Sequence, residues 1–225
     1  MNYQIIIPAR ADSKRLPGKN MKYLDGKPLI QYSIDFALKY MPNHTIWVNS
    51  NDEKIIEFSK RKKINVFKRP DYLATDFTPT VNVLKHQVKY FQANNISCDA
   101  IVLLQPTNPL RLNSLFPKAI KVFEESGRNS LATFSMSEKK VGKIVDDRFI
   151  PTNYELGQRS QDLENSYYEN GSLYITKIDS ILNGKVITED AYPLICDDIE
   201  STVDIDYIHD FLFAETLLNF KNETK

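Results

Sequence analysis

Apolar positions in this chain fall into short runs separated by stretches of helical period. Runs at Gln4–Pro8, Thr45–Asn49, Asn65–Phe67, Ala100–Leu104 and Leu131–Phe134 have the length of buried strands. Between them, Leu29, Ile30, Ile34, Ala37, Leu38 and Met41 mark one amphipathic helix, with Pro28 suited to its first turn. Val81, Leu84, Val88 and Phe91 mark another, at steps of three and four. Ile55, Ile56 and Phe58, then Leu115, Ala119, Ile120 and Phe123, predict two more, and Ile208, Phe211, Leu212 and Glu215 predict a terminal helix over Tyr207–Leu218. Strands alternating with helices at this spacing imply an α/β fold, a Rossmann-like three-layer sandwich with a mainly parallel sheet. The rhythm breaks from about 136 to 190, where short polar β-like pieces and a long connection near Pro151–Asn165 predict an inserted hairpin or dimerisation arm.

Composition narrows the picture without changing it. With 225 residues, 42% of them apolar and 26% charged, the chain suits one globular domain over 1–225 with the inserted arm as a subregion. A formal net charge of zero argues against nucleic-acid binding by general basicity. The run Ile5–Ile7 is too short for a membrane span or a signal peptide, and Cys98 and Cys196 have neither metal nor redox spacing. The expectation is a cytoplasmic protein with no membrane partner. Charge distribution is more informative than the sum. Residues 10–27 carry Arg10, Lys14, Arg15, Lys19, Lys22 and Lys27 against Asp12 and Asp25, while 189–210 carry eight acids and no Lys or Arg.

In parallel α/β sheets ligands bind beyond the carboxyl ends of the strands. That rule brings the cationic loop after the first strand to the same rim as Gln105-Pro106-Thr107-Asn108-Pro109 after a later one. The loop contains neither Gly-x4-Gly-Lys-Ser/Thr nor Gly-x-Gly-x-x-Gly, which argues against P-loop kinases and dinucleotide oxidoreductases. It offers Lys and Arg as charge, and backbone amides near Ala11–Ser13, for a polyphosphate; a solvated turn is the alternative. Asp204 and Asp206 lie two apart, so in an extended segment both face one way and can share a hard cation, or Asp206 N-caps the following helix. Gln105, Thr107 and Asn108 offer donors and acceptors for an uncharged ligand edge, or serve as turn formers. Tyr167–Tyr174 reads as an aromatic strand with a glycine bulge, and Arg159 as a solvated side chain or a carboxylate partner. His44, His86 and His209 show no metal spacing, and no Gly-x-Ser-x-Gly elbow occurs.

Five segments in order, IIPARADSKRLPGKN at 6–20, RPDYLATD at 69–76, LLQPTNPLR at 103–111, YENGSLYI at 168–175 and DIDY at 204–207, resemble the cytidylyltransferases that activate acidic sugars, most closely the CMP-sialic acid (acylneuraminate) synthetases. The resemblance implies attack by the anomeric hydroxyl of a nine-carbon 2-keto sugar acid on the α-phosphorus of CTP, with release of pyrophosphate. It implies that Arg10, Lys14, Lys19 and Asn20 surround the CTP phosphates and nucleotide, that Arg69 and Thr80 make further nucleotide contacts, and that Gln105 sits where nucleotide meets sugar. Arg159, Asn170 and Tyr174 fall where the family gathers its sugar, and Asp204 and Asp206 where it holds Mg²⁺. Lys14, Lys19 and Asp206 are the expected catalytic side chains, Asp206 easing removal of the hydroxyl proton. A homodimer is implied as well.

The first loop, with Arg15-Leu16-Pro17-Gly18, resembles the Kdo cytidylyltransferases, whereas Gln105-Pro106-Thr107-Asn108-Pro109 favours the sialate branch, whose sugars include N-acetylneuraminic, legionaminic and pseudaminic acid. The rival readings are a CMP-Kdo synthetase, a nucleotide-sugar glycosyltransferase and a non-catalytic nucleotide-binding protein. In the glycosyltransferase the Asp-x-Asp pair would be expected after a central strand.

Overall fold

A computed structural model describes residues 1–11 and 13–223, without the side chains of the last three. The strands are β1 (Tyr3–Pro8), β2 (Tyr23–Leu24), β3 (Lys27–Pro28), β4 (Thr45–Ser50), β5 (Asn65–Lys68), β6 (Ala100–Leu103), β7 (Ser130–Ser137), β8 (Gly142–Val145), β9 (Arg148–Pro151), β10 (Ser166–Lys177) and β11 (Tyr192–Ile195). The helices are α1 (Leu29–Tyr40), α2 (Glu53–Arg61), α3 (Thr80–Ala93), α4 (Leu115–Ser126), α5 (Ile178–Leu182) and α6 (Ile208–Glu223). Every strand and helix expected from the apolar pattern is present, most within a few residues of its expected bounds; α5 was not anticipated, its five residues being too few to show a period.

Seven strands form one sheet in the order β11-β7-β10-β6-β1-β4-β5. β1 pairs in parallel with β4 and β6, β4 with β5, and β11 with β7, while β10 runs antiparallel to both neighbours. The sheet is thus mainly parallel, with one reversed strand. Alternate residues of β1 serve opposite faces: Ile5 and Ile7 join Ile30 and Ile34 of α1 and Ala119 and Phe123 of α4, while Ile6 joins Leu84, Val88 and Phe91 of α3. These isoleucines are wholly buried, each contributing about 1.5–3 kcal/mol relative to exposure. A third cluster lies at the sheet's rim, where Leu16 of the cationic loop meets Leu24, Leu110, Val203, Ile205 and Phe211. It joins the first loop to the acidic segment before α6.

The stretch from 136 to 190 divides in two. β10 is a central strand of the main sheet, because its half from Asn170 to Thr176 is buried on both faces. What stands outside is the β8–β9 hairpin, a separate two-stranded sheet, and the connection after it. The hairpin exposes Ile144, Val145, Phe149 and Ile150. Among the described residues, no helix is long and apolar enough to cross a membrane.

Candidate active site

The carboxyl ends of β1, β5 and β6 open on a cavity of about 370 Å³. Arg10, Lys19, Asn20, Arg69, Thr80, Gln105, Asp204 and Asp206 all line it, joined by Arg15 and Asp76. Lys14 lines an adjoining cavity of about 310 Å³ that shares Arg10, Arg15, Lys19, Asn20, Asp76 and Asp206 with the first. Of the residues expected to hold the sugar, Arg159, Asn170 and Tyr174 line neither.

Leu16 anchors the cationic loop, and the carbonyl of Leu16 accepts from the amide of Lys19 at 3.2 Å. Gly18, at a φ of 66°, turns the chain into a single 3-10 turn over Lys19–Met21, a backbone position that other residues adopt only with strain. Asn20, buried at the end of the loop, donates to the Arg10 carbonyl at 3.1 Å and so ties the loop's two ends together. The Ala11 amide, expected as an anion donor, donates instead to Asn51 Oδ1 at 3.0 Å; Asp12 lies outside the described residues.

Lys19 Nζ donates to Asp206 Oδ1 and to the Ile205 carbonyl, both at 2.9 Å, and Arg15 Nη1 lies 2.8 Å from Asp206 Oδ2. The basic and acidic stretches of the sequence therefore meet, through Asp206. The Asp206 carboxylate is thus engaged by the loop, and Asp210, in the first turn of α6, reaches back with Oδ2 to accept from the amides of Asp206 and Tyr207 at 2.8 and 2.7 Å. Asp204 is exposed at the cavity, and partial desolvation there pushes its carboxyl above the usual carboxylate range, with a hydrogen bond from Thr107 opposing and Asp206 adding to the rise. No ion pair forms at Asp204 among the described residues, and no cluster of three or more acidic, His or Cys side chains assembles there. A pair of hard oxygen donors, one of them without a cationic partner, fits Mg²⁺, which takes one or two carboxylates and completes its shell with phosphate and water.

Arg69 is held from behind. Its Nε donates to Asn49 Oδ1 at 2.7 Å and its Nη2 to the Asn49 carbonyl at 3.0 Å, and Asn49 Nδ2 donates to Gln87 Oε1 at 2.8 Å. Burial, with Arg10 nearby, pulls the Arg69 guanidinium down to about 10. It is a preoriented cation with no carboxylate partner among the described residues. Such a group favours an incoming anion.

Arg111 holds the other wall. It donates from Nε to the Ser172 carbonyl at 2.7 Å, from Nη2 to the Gln105 carbonyl at 2.7 Å and from Nη1 to Ser33 Oγ at 3.0 Å. Burial lowers its guanidinium to about 9. Asn108, also buried, donates to the carbonyls of Asn170 and Val203 at 2.7 and 3.0 Å. These two side chains join the loop after β6 to β10 and to the acidic segment. Gly171, at a φ of 77°, permits the join, since a Cβ there would lie 2.7 Å from Asn108 Oδ1.

Asn170 is committed to the interior. Its Oδ1 accepts from Thr133 Oγ1 at 2.6 Å and from the Ser172 amide at 3.1 Å, and its Nδ2 donates to Ser135 Oγ at 2.9 Å. Tyr174 is buried on β10, its hydroxyl 3.5 Å from Glu169 Oε2, and burial with Glu169 raises its pKa. Arg159 is exposed and pairs with Asp162 at 2.7 Å. Sequence reasoning did not single out Asp76, Asn49 or Arg111 as parts of the site, and Asn108, read there as a ligand contact or a turn former, is instead bonded to the carbonyls of Asn170 and Val203. Asp76 and Arg111 stand inside the segments quoted above, and the available signal was a charge beside turn-forming or apolar neighbours.

The sequence profile of the family described as Cytidylyltransferase matches residues 4–210. The chain is 32% identical to the CMP-N,N'-diacetyllegionaminic acid synthase of Legionella pneumophila, over 99% of this chain and 99% of that protein. It is 32% identical to the N-acylneuraminate cytidylyltransferase of Streptococcus agalactiae over 80% of this chain and 44% of the relative, and so spans less than half of that longer protein. In fold it is similar to a solved CMP:2-keto-3-deoxy-manno-octonic acid synthetase complexed with CTP, with a TM-score of 0.72 over 98% of this chain and 100% of that one; at 15% identity the likeness concerns the fold alone. A profile match spanning the loop, the wall and the acidic segment, with a full-length relative at this identity, makes the chain a member of the cytidylyltransferase family.

Proposed function

We propose that the protein joins CTP to a sialic-acid-type nonulosonic acid, giving the CMP-sugar and pyrophosphate. The observation that carries this reading is the convergence of Arg10, Lys19 and Arg69 with Asp204 and Asp206 around one cavity, with Gln105 at its edge. That arrangement suits a triphosphate, and the relatives named above act in the same chemistry. N-acetylneuraminic, legionaminic and pseudaminic acid are the candidate sugars.

In the reaction the anomeric oxygen forms a bond to the α-phosphorus as the bond from that phosphorus to the bridging oxygen breaks. Lys14 and Lys19 would face the phosphate chain and offset the charge that develops on departing pyrophosphate. Arg69, fixed by Asn49, would hold the nucleotide without having to reorganise during the step. Asp206, its carboxylate oriented by Lys19 and Arg15, would take up the proton of the attacking hydroxyl. Mg²⁺, which Asp204 and Asp206 would hold, supplies Lewis-acid neutralisation of phosphate oxygens when bound.

The exposed apolar hairpin is the surface for a second copy, so that the working form is a dimer. A cytosolic setting, where CTP is made and thiols stay reduced, accords with Cys98 and Cys196 both being free.

The test incubates the purified protein with CTP, Mg²⁺ and a panel of N-acetylneuraminic, legionaminic, pseudaminic and Kdo acids. CMP-sugars are read by mass spectrometry and pyrophosphate by a coupled assay. A CMP-nonulosonate formed without any acceptor glycan is expected. Turnover only with Kdo, only with an acceptor, or with nothing despite CTP binding would favour in turn the Kdo synthetase, the glycosyltransferase and the nucleotide-binding protein. Asp206→Ala retaining near-full turnover at saturating Mg²⁺ would remove that residue from its assigned role.

A further inference from the structure

Two cations of the phosphate loop already have an anionic partner that the reaction does not call for. Arg10 Nη2 lies 2.5 Å from Asp76 Oδ1, and Lys14 Nζ lies 3.3 Å from Asp76 Oδ2. One carboxylate thus offers an oxygen to each of two cations, as a phosphate would. Asp76 lines both adjoining cavities, so it stands in the wall that a phosphate chain spanning them would cross.

Its side chain is 25% exposed. Burial pushes its carboxyl up, but hydrogen bonds from Lys14 and Arg10 outweigh burial and hold it below the usual carboxylate range, ionised at neutral pH. The residue sits in the loop between the Asp71–Leu73 turn and α3, where its neighbour Phe77 is 87% exposed. Lys14 Nζ lies 5.0 Å from the centre of that ring. Movement of this loop would not disturb the three buried clusters, none of which includes its residues.

A phosphate chain arriving at Arg10 and Lys14 meets like charge at the point where it must bind. Given the reading that this cavity takes a nucleoside triphosphate, we propose that Asp76 is a built-in competitor for the phosphate chain, pairing with Arg10 and Lys14 until a polyphosphate displaces it. Two consequences follow from the competition. Apparent affinity for polyphosphate is lowered by the fraction of molecules in which the carboxylate still holds the cations. Departure of pyrophosphate is assisted, because Asp76 takes back the cations that the product leaves.

The experiment titrates inorganic tripolyphosphate and pyrophosphate by calorimetry, in metal-free buffer at low salt, into the wild-type protein, Asp76→Asn and Asp76→Glu. Asp76→Asn is expected to bind both about 2- to 5-fold more tightly, the range of one partly exposed ion pair, and Asp76→Glu to stay near wild type. Asp76→Ala, a second neutral variant, should move in the same direction, and thermal unfolding checks that each variant is folded. Equal or weaker binding by both folded neutral variants overturns the proposal; weaker binding would make Asp76 a group that helps to hold phosphate. CTP titrated into the wild-type protein tests the underlying reading separately. No CTP binding, with tripolyphosphate behaving as expected, would sink the nucleotide reading and leave the competitor standing. CTP binding without tightening in Asp76→Asn would do the reverse.

Discussion

The cavity proposed to take the nucleotide and the residues expected to hold the sugar, the nucleotide end and the sugar end of that reading, are built in opposite ways. At the nucleotide end the named side chains converge on one cavity and are held from behind by buried partners, Asn49 behind Arg69 and Asn20 across the loop. At the sugar end the named residues are dispersed: Asn170 is bonded into the interior, Tyr174 is buried on β10, and Arg159 is exposed beside Asp162. Fixed cations of this kind suit phosphate recognition, where charge must be in place before the transition state forms. Substitutions at the two ends should therefore fail differently.

The largest effect is expected at Lys19, only 12% of whose side chain is exposed. Lys19→Met should lower CMP-sugar formation by about 100- to 1,000-fold, the scale of losing one preorganised charge at a developing oxyanion, with the fold retained. Pyrophosphate release at saturating substrates measures it. A loss confined to KM for CTP would mean that Lys19 binds ground state and transition state alike, and the nucleotide end would then be a binding surface only.

Asn170 tests the contrast from the other side. With three side-chain hydrogen bonds inside the protein, Asn170→Ala should cost about 2–4 kcal/mol of stability, read by denaturant unfolding. If stability were unchanged while KM for the sugar rose steeply, Asn170 would be turned towards substrate in the working enzyme and the contrast would break. Asn49→Ala comes next. It leaves the Arg69 guanidinium short of a buried acceptor, so a stability loss of about 1–3 kcal/mol is expected together with a higher KM for CTP and little change in kcat. An unchanged KM would show that Arg69 needs no backing from the interior.

These outcomes bear on what can be read without coordinates. The sheet was legible because β1, β4 and β6 are wholly apolar for a few residues and their helices repeat at 3.6, a pattern that burial on one or both faces imposes. β10 was less so: its first half, Ser166–Gly171, has no apolar run, its register shifts between Glu169 and Tyr174, and so its place at the centre of the sheet was hidden within a stretch that looked like an insertion. The cations of the site were visible as a charge run. Their partners were not. Asp76 and Asp206 are brought to Arg10 and Arg15 from far along the chain, Asp206 from near its other end, and Asn49 serves Arg69 by lying on the neighbouring strand. Arg111 is a half-buried cation satisfied by two carbonyls and a hydroxyl, a role that no spacing announces.

The smallest effect on the folded chain, and the sharpest separation of the two ends, is expected in the arm. Ile144 and Phe149 are 70% and 43% exposed on a two-stranded hairpin outside the main sheet, so Ile144→Asp with Phe149→Asp should change the stability of the chain by no more than about 0.5 kcal/mol per site. If a second copy covers that apolar face, the double variant should elute and scatter light as a monomer where the unsubstituted protein is a dimer, because two charges per copy would have to be desolvated at the interface. The nucleotide end is assembled within one chain, so CTP affinity should survive in the monomer. Should the sugar end depend on the arm's being packed, KM for the sugar rises in the same sample. Parallel loss of CTP and sugar binding on dissociation would show that the two ends are not built independently, and a wild-type protein that is monomeric from the start would remove the second copy from the account of either.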